Sequence, residues 1–103
     1  MVSKYWETVR LTPSKNWFDV KVISINEKDY IIGQIYWYKT QILTHKRFKE
    51  NKVKDIYNQL DHLFRHTYRV WELRKRFKKC LEQMQEENLG YLIHNNDKEY
   101  FNL

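Results

Sequence analysis

Arg65, Arg69, Lys75, Arg76, Lys78 and Lys79 set six positive charges against the single acid Glu72 within residues 65–79, leaving aside Arg74, which falls in an apolar seam. At about 100° per residue on a helix, Arg65, Arg69, Arg76 and Lys79 fall together, and Lys75 and Lys78 widen the patch to one side. Such a face can lie across phosphates and release a counterion at each contact. It would also attract an acidic protein. A solvated helix exterior needs charges of either sign, and this stretch is more one-sided than that.

Aromatic residues make up 17% of the chain, enough to ask whether some of them stack on a partner. Trp17, Tyr36 and Tyr38 share one face of a predicted sheet with Lys21, a composition suited to unpaired bases. Ile23 and Ile32 on the same face favour a second hydrophobic layer instead, covered by a helix or a dimer mate.

The remaining candidates for chemistry are weaker. His62 and His66 stand at i and i+4, the spacing that places two imidazoles on one side of a helix for a metal. Cys80 shares that flank but lies about 27 Å up the axis, so third ligands would have to come from His45, His94 or an acid elsewhere. We therefore expect surface or interface histidines and no metal. Asp19-Val20-Lys21, with Glu7 upstream, has the outline of a metal-dependent nuclease motif. Such triplets are common by chance, and the predicted register separates Asp19 from Val20. No Gly-rich phosphate loop, nucleophile elbow or paired cysteine motif occurs, and Cys80 beside an apolar seam suits a buried, inert thiol. The expectation is a protein that is not an enzyme and uses no cofactor.

The element that must carry the basic face is an apolar repeat: Val53, Ile56, Leu60, Leu63, Thr67, Val70, Arg74, Phe77, Leu81, Met84. Steps of three and four held in phase predict one helix over residues 51–89, with Asn51 available as N-cap and Gly90 as the stop. It would be about 57 Å long, against a radius of gyration of about 13 Å for a compact chain of this size. The helix must project, pair with a second copy through its seam, or bend. Arg65-His66-Thr67-Tyr68 is its weakest stretch. Arg74 within the seam must pair with an acid, snorkel, or lie at an open edge.

Residues 4–11 read as a strand, residues 12–16 as a turn around Pro13, and residues 17–25 and 30–43 as a hairpin joined by Asn26-Glu27-Lys28-Asp29. With Ile25 opposite Tyr30, Phe18, Val20, Ile31, Ile35 and Trp37 collect on a core face. After Gly90, residues 91–94 and 97–101 flank Asn95-Asn96, a second tight hairpin. The predicted fold is α+β: a three-stranded antiparallel meander on one long amphipathic helix that could kink, with a short C-terminal hairpin, all within a single domain.

Charge follows the same division. Residues 1–44 balance at +2, residues 45–81 at +8 and residues 82–103 at −4, so the cationic part is the helix and the tail is acidic. No apolar run is long enough to span a bilayer, no secretion signal opens the chain, and one cysteine fits a reducing cytoplasm. The chain has no Ala, two Gly and one Pro, but abundant Lys, Asn, Ile and Tyr, the bias of an AT-rich bacterial genome or its phages and plasmids. Together these features predict a small cytoplasmic binding protein of phage or mobile-element origin, contacting nucleic acid or a nucleoprotein. The alternative is an inhibitor or adaptor docking on a host nucleic-acid enzyme, anti-CRISPR-like or polymerase-binding.

Overall fold

Asn26 caps the first helix: its side-chain carbonyl accepts from the backbone N–H of Asp29 at 2.9 Å, and its amide donates to the Asp29 carboxylate at 2.8 Å. This reciprocal cap starts a helix where the sequence predicts a hairpin loop. The computed structural model describes residues 26–103, and those residues are all-helical: α1 (Glu27–Thr44), α2 (Asn51–Arg65), α3 (Val70–Glu86), a single 3-10 turn (Gly90–Leu92) and α4 (Asn95–Tyr100). The predicted strand at 4–11, the turn at 12–16 and the strand at 17–25, with Glu7, Trp17 and the Asp19-Val20-Lys21 triplet, lie outside the described residues.

The α+β expectation is overturned. Residues 30–43, predicted as a strand, belong to α1, and the residues buried there are Ile31, Ile35, Tyr38 and Ile42. Their steps of four, three and four put one stripe on a helix, whereas a strand would alternate them across two faces. The long helix is also overturned as a single rod. It breaks after Arg65, and His66 turns extended at φ −111°, ψ 150°. Three residues of modest helix propensity, His66, Thr67 and Tyr68, meet there. The His66 ring also bonds the His62 carbonyl at 2.8 Å, and the Tyr68 hydroxyl meets His62 Nε2 at 2.7 Å.

Folding back at this break turns the seam into an internal core. Val53, Ile56, Leu60 and Leu63 of α2 and Leu73, Phe77, Cys80, Leu81 and Met84 of α3 are buried with the α1 stripe. Each large apolar side chain so buried contributes on the order of 1.5–3 kcal/mol. Thr67, the seam residue at the break, is exposed. Arg74 pairs with Glu27 in the first turn of α1 and lies 5.9 Å from the Tyr100 ring centroid, so its charge is met by an acid at the bundle edge.

Gly90 does not stop α3. Asn88 does, at φ 61°, with Leu89 N–H bonding the Met84 carbonyl at 2.7 Å and Asn88 N–H the Gln85 carbonyl at 3.1 Å. Leu89 and Met84, both buried, supply the apolar contact of this Schellman ending. Asn102 ends α4 in the same way, at φ 60° with Leu103 N–H on the Lys98 carbonyl. The predicted C-terminal hairpin is therefore a helical turn, with Asn95 and Asn96 inside it.

Six residues are too few for a helix to persist alone, so α4 is held by its contacts. Asp97 is fully buried and accepts from Tyr30 Oη at 3.0 Å, Gln34 Nε2 at 2.7 Å and Tyr38 Oη at 2.5 Å. The His94 backbone N–H donates to Tyr38 Oη at 3.0 Å, and Gln34 Nε2 approaches His94 Nδ1 at 2.8 Å. Burial first, then the Asp97 charge, raises both tyrosine hydroxyls well above their ordinary pKa, so they remain donors. Phe101 packs edge-on against Phe77 with ring centroids 5.5 Å apart. No helix among the described residues is long and apolar enough to cross a membrane.

Two substitutions test this architecture. Asp97→Ala strands donors from α1 and should lower unfolding free energy by about 2–3 kcal/mol in urea denaturation, releasing α4 in hydrogen exchange. Gly33→Ala places a methyl where nothing lies within 4 Å on an exposed helix position, and should raise stability by about 0.5–1 kcal/mol. A destabilised Gly33→Ala protein would contradict α1 as described.

Candidate nucleic-acid interface

Burial of Leu73, Phe77, Cys80, Leu81 and Met84 leaves the opposite side of α3 to solvent, and that side carries Trp71, Lys75, Lys78 and Lys79. Trp71 is 60% exposed. Steps of four and three between Trp71, Lys75 and Lys78 align them along one ridge of the helix.

The six predicted basic residues separate into two groups. Arg65 is held by Asp61, its Nε lying 2.9 Å from the carboxylate, and Asp61 also takes Lys39 at 2.8 Å. Those two donors hold the Asp61 carboxyl below its ordinary pKa. Arg76 pairs with Glu72 at 2.8 Å and stacks over Tyr68 at 4.8 Å. The break after Arg65 also assigns Arg65 to α2 and Arg69 to the N-cap of α3, so the predicted single stripe is divided. Arg69, Lys75, Lys78 and Lys79 have no carboxylate partner among the described residues. These four, and not Arg65 or Arg76, form the uncompensated charge of α3.

Two grooves flank the ridge. One, of about 520 Å³, runs between α2 and α3, with Asn58, Gln59 and His62 on the α2 wall facing Trp71, Lys75 and Lys79. The other, also about 520 Å³, lies between α3 and the C-terminal turn and is lined by Trp71, Arg74, Lys75, Lys78, Tyr100, Phe101 and Asn102. Among the described residues no carboxylate lines the second groove. Trp71 and Lys75 line both and so form the crest between them.

The aromatic residues are placed otherwise than a sheet would place them. Tyr38 is fully buried against Phe77 and bonded to Asp97, so it cannot stack on an external base. Tyr36 is exposed on α1 and packs on Phe64 with ring centroids 5.8 Å apart. Trp17 lies outside the described residues. The aromatic that does accompany the free cations is Trp71, which sequence reasoning passed over. Its position one turn before Lys75 is the pattern that could have marked it.

The other candidates stay apart from this face or lack the means for chemistry. His62 and His66 stack with ring centroids 3.9 Å apart, and no three metal-ligating side chains assemble among the described residues. The Asp97 carboxylate is fully buried and met by three donors, Tyr30, Gln34 and Tyr38. Cys80 lines the floor of the α2–α3 groove but is buried, and burial followed by the Asp55 charge pushes its thiol up to about 12. Compared with protein-family models, with curated proteins and with solved structures, the chain matches none.

Cys80 should accordingly resist alkylation by iodoacetamide in the folded protein at about pH 8, where only about one thiol in ten thousand is ionised. Reaction should become rapid in denaturing urea. Fast labelling of the native protein would show that the groove floor is open.

Proposed function

We propose that this chain is a small, non-catalytic binding protein that contacts nucleic acid, free or within a nucleoprotein, through the outer face of α3. The observation that carries this reading is the set of three lysines without carboxylate partners among the described residues, Lys75, Lys78 and Lys79, beside exposed Trp71, with Arg69 likewise unpaired at the N-cap of α3. Among the described residues acids meet other cations at short range, Glu27 with Arg74, Asp61 with Lys39 and Arg65, Glu72 with Arg76, and Glu50 with Arg47, while Lys28, Lys46, Lys49, Lys54 and Lys98 are also without a carboxylate but lie off α3. Charge left unneutralised on one face favours polyanions, and no base-reading motif accompanies it, so contacts would be largely phosphate-directed.

A second reading is supported by a different surface. Tyr36, Trp37 and Leu43 of α1 are exposed, as is Phe64 of α2 beneath Tyr36. Large apolar side chains of this kind anchor protein partners, which suits an inhibitor or adaptor docking on a nucleic-acid enzyme.

Salt separates the two readings. Four phosphate contacts predict that affinity for DNA or RNA falls roughly fifty- to a hundred-and-fiftyfold between about 50 and 200 mM salt. Joint replacement Lys75→Glu and Lys79→Glu should reduce binding at least tenfold and flatten the salt dependence, with far-UV circular dichroism unchanged because both side chains are exposed. Undiminished binding by this variant would remove α3 as the contact surface.

A further inference from the structure

Resting on the nucleic-acid reading, we infer that the α3 face takes single-stranded nucleic acid, with an unpaired base stacked on Trp71 and adjoining phosphates against Lys75 and Lys78. A duplex keeps its base faces inside the stack and presents phosphates and groove edges, so it offers an indole in the middle of a cationic ridge little to hold. An unpaired strand offers a π-face for every base, and sequence-tolerant stacking between cations is how single strands are gripped.

The two grooves divide the work. On the α2 side, Asn58 and Gln59 face Trp71 and Lys79 across about 520 Å³, and carboxamides can bond base edges. The Gln59 amide already donates to Asp55 at 2.8 Å, which leaves Asn58 as the freer of the two. On the α4 side, the lining has two unpaired lysines, Lys75 and Lys78, beside Arg74, which Glu27 already engages, and no carboxylate among the described residues, a setting for phosphate. Trp71 and Lys75 border both grooves, so a strand crossing the crest would meet the stacking surface and the charges together.

Binding of a fluorescein-labelled oligothymidylate of about twelve nucleotides, within the span of known single-strand sites, tests this by anisotropy at low salt, beside a duplex of equal length. The wild-type protein should prefer the single strand. Trp71→Ala should weaken single-strand binding roughly five- to a hundred-and-fiftyfold, the loss expected for one stacked base, and weaken duplex binding by less. Trp71→Phe should keep most of the affinity. If folded Trp71→Ala binds oligothymidylate as tightly as wild type, the inference is overturned while phosphate binding by α3 stands. If polyglutamate of matched charge displaces the strand equally well, the face is one for acidic proteins and the inference is likewise overturned. If the wild-type protein binds neither nucleic acid at about 50 mM salt, the nucleic-acid reading itself falls.

Discussion

One buried carboxylate makes the rest of this fold necessary. Asp97 has lost all contact with water, a cost of several kcal/mol unless its oxygens are met by donors. The donors come from Tyr30, Gln34 and Tyr38, spaced four and four along α1. On a helix these three span about 12 Å, and one carboxylate can gather them. On a strand the same residues would spread over about 26 Å, beyond the reach of any single acid. The bond pattern is thus incompatible with the hairpin predicted for residues 30–43. It also fixes α4, whose six residues cannot hold a helix unaided.

The misreading of α1 has a physical source. Tyr30, Ile31, Ile32, Ile35, Tyr36, Trp37 and Tyr38 form a stretch so apolar that periods of two and of three to four both fit it. β-branched and aromatic residues then favour the strand. Two features pointed the other way: the Asn26 to Asp29 capping pair, and Ile31, Ile35, Tyr38 and Ile42 in steps of four, three and four. Tertiary demand decided between them, because Asp97 lies 59 residues from Tyr38 and no local pattern can announce it. The C-terminal asparagines misled for a related reason. Positive φ was expected at Asn95-Asn96 but occurs at Asn88 and Asn102, where a helix ends and a buried Leu89 or a following Leu103 closes the turn.

Residues 51–86 were far more legible, since their apolar spacing survives in both α2 and α3. What the heptad could not reveal is the break. Leu63 and Phe77 are fourteen residues apart, and the four-residue connection between the helices happens to keep the repeat in phase. Continuity of phase therefore does not establish continuity of a helix. The stripe of basic residues inherited that ambiguity. Once the chain turns at His66, Arg65 belongs to α2 and Arg69 to the N-cap of α3, and Trp71 lies exposed on the first turn of α3.

The division of labour between arginine and lysine then acquires a reason. Arg47, Arg65, Arg74 and Arg76 are each engaged by an acid of this chain, Glu50, Asp61, Glu27 and Glu72 respectively. A planar guanidinium suits such fixed, directional pairing: Arg74 joins α3 to α1, Arg47 joins the turn to the α2 cap, and Arg65 and Arg76 pair one turn away within their own helices. On the ridge of α3 the charges are mostly lysines, hydrated point charges on flexible stems that can follow a phosphate without fixing its geometry. Such a surface supplies attraction with little sequence preference. Discrimination would have to come from something rigid and shaped, and the exposed group of that kind beside these lysines is the indole of Trp71.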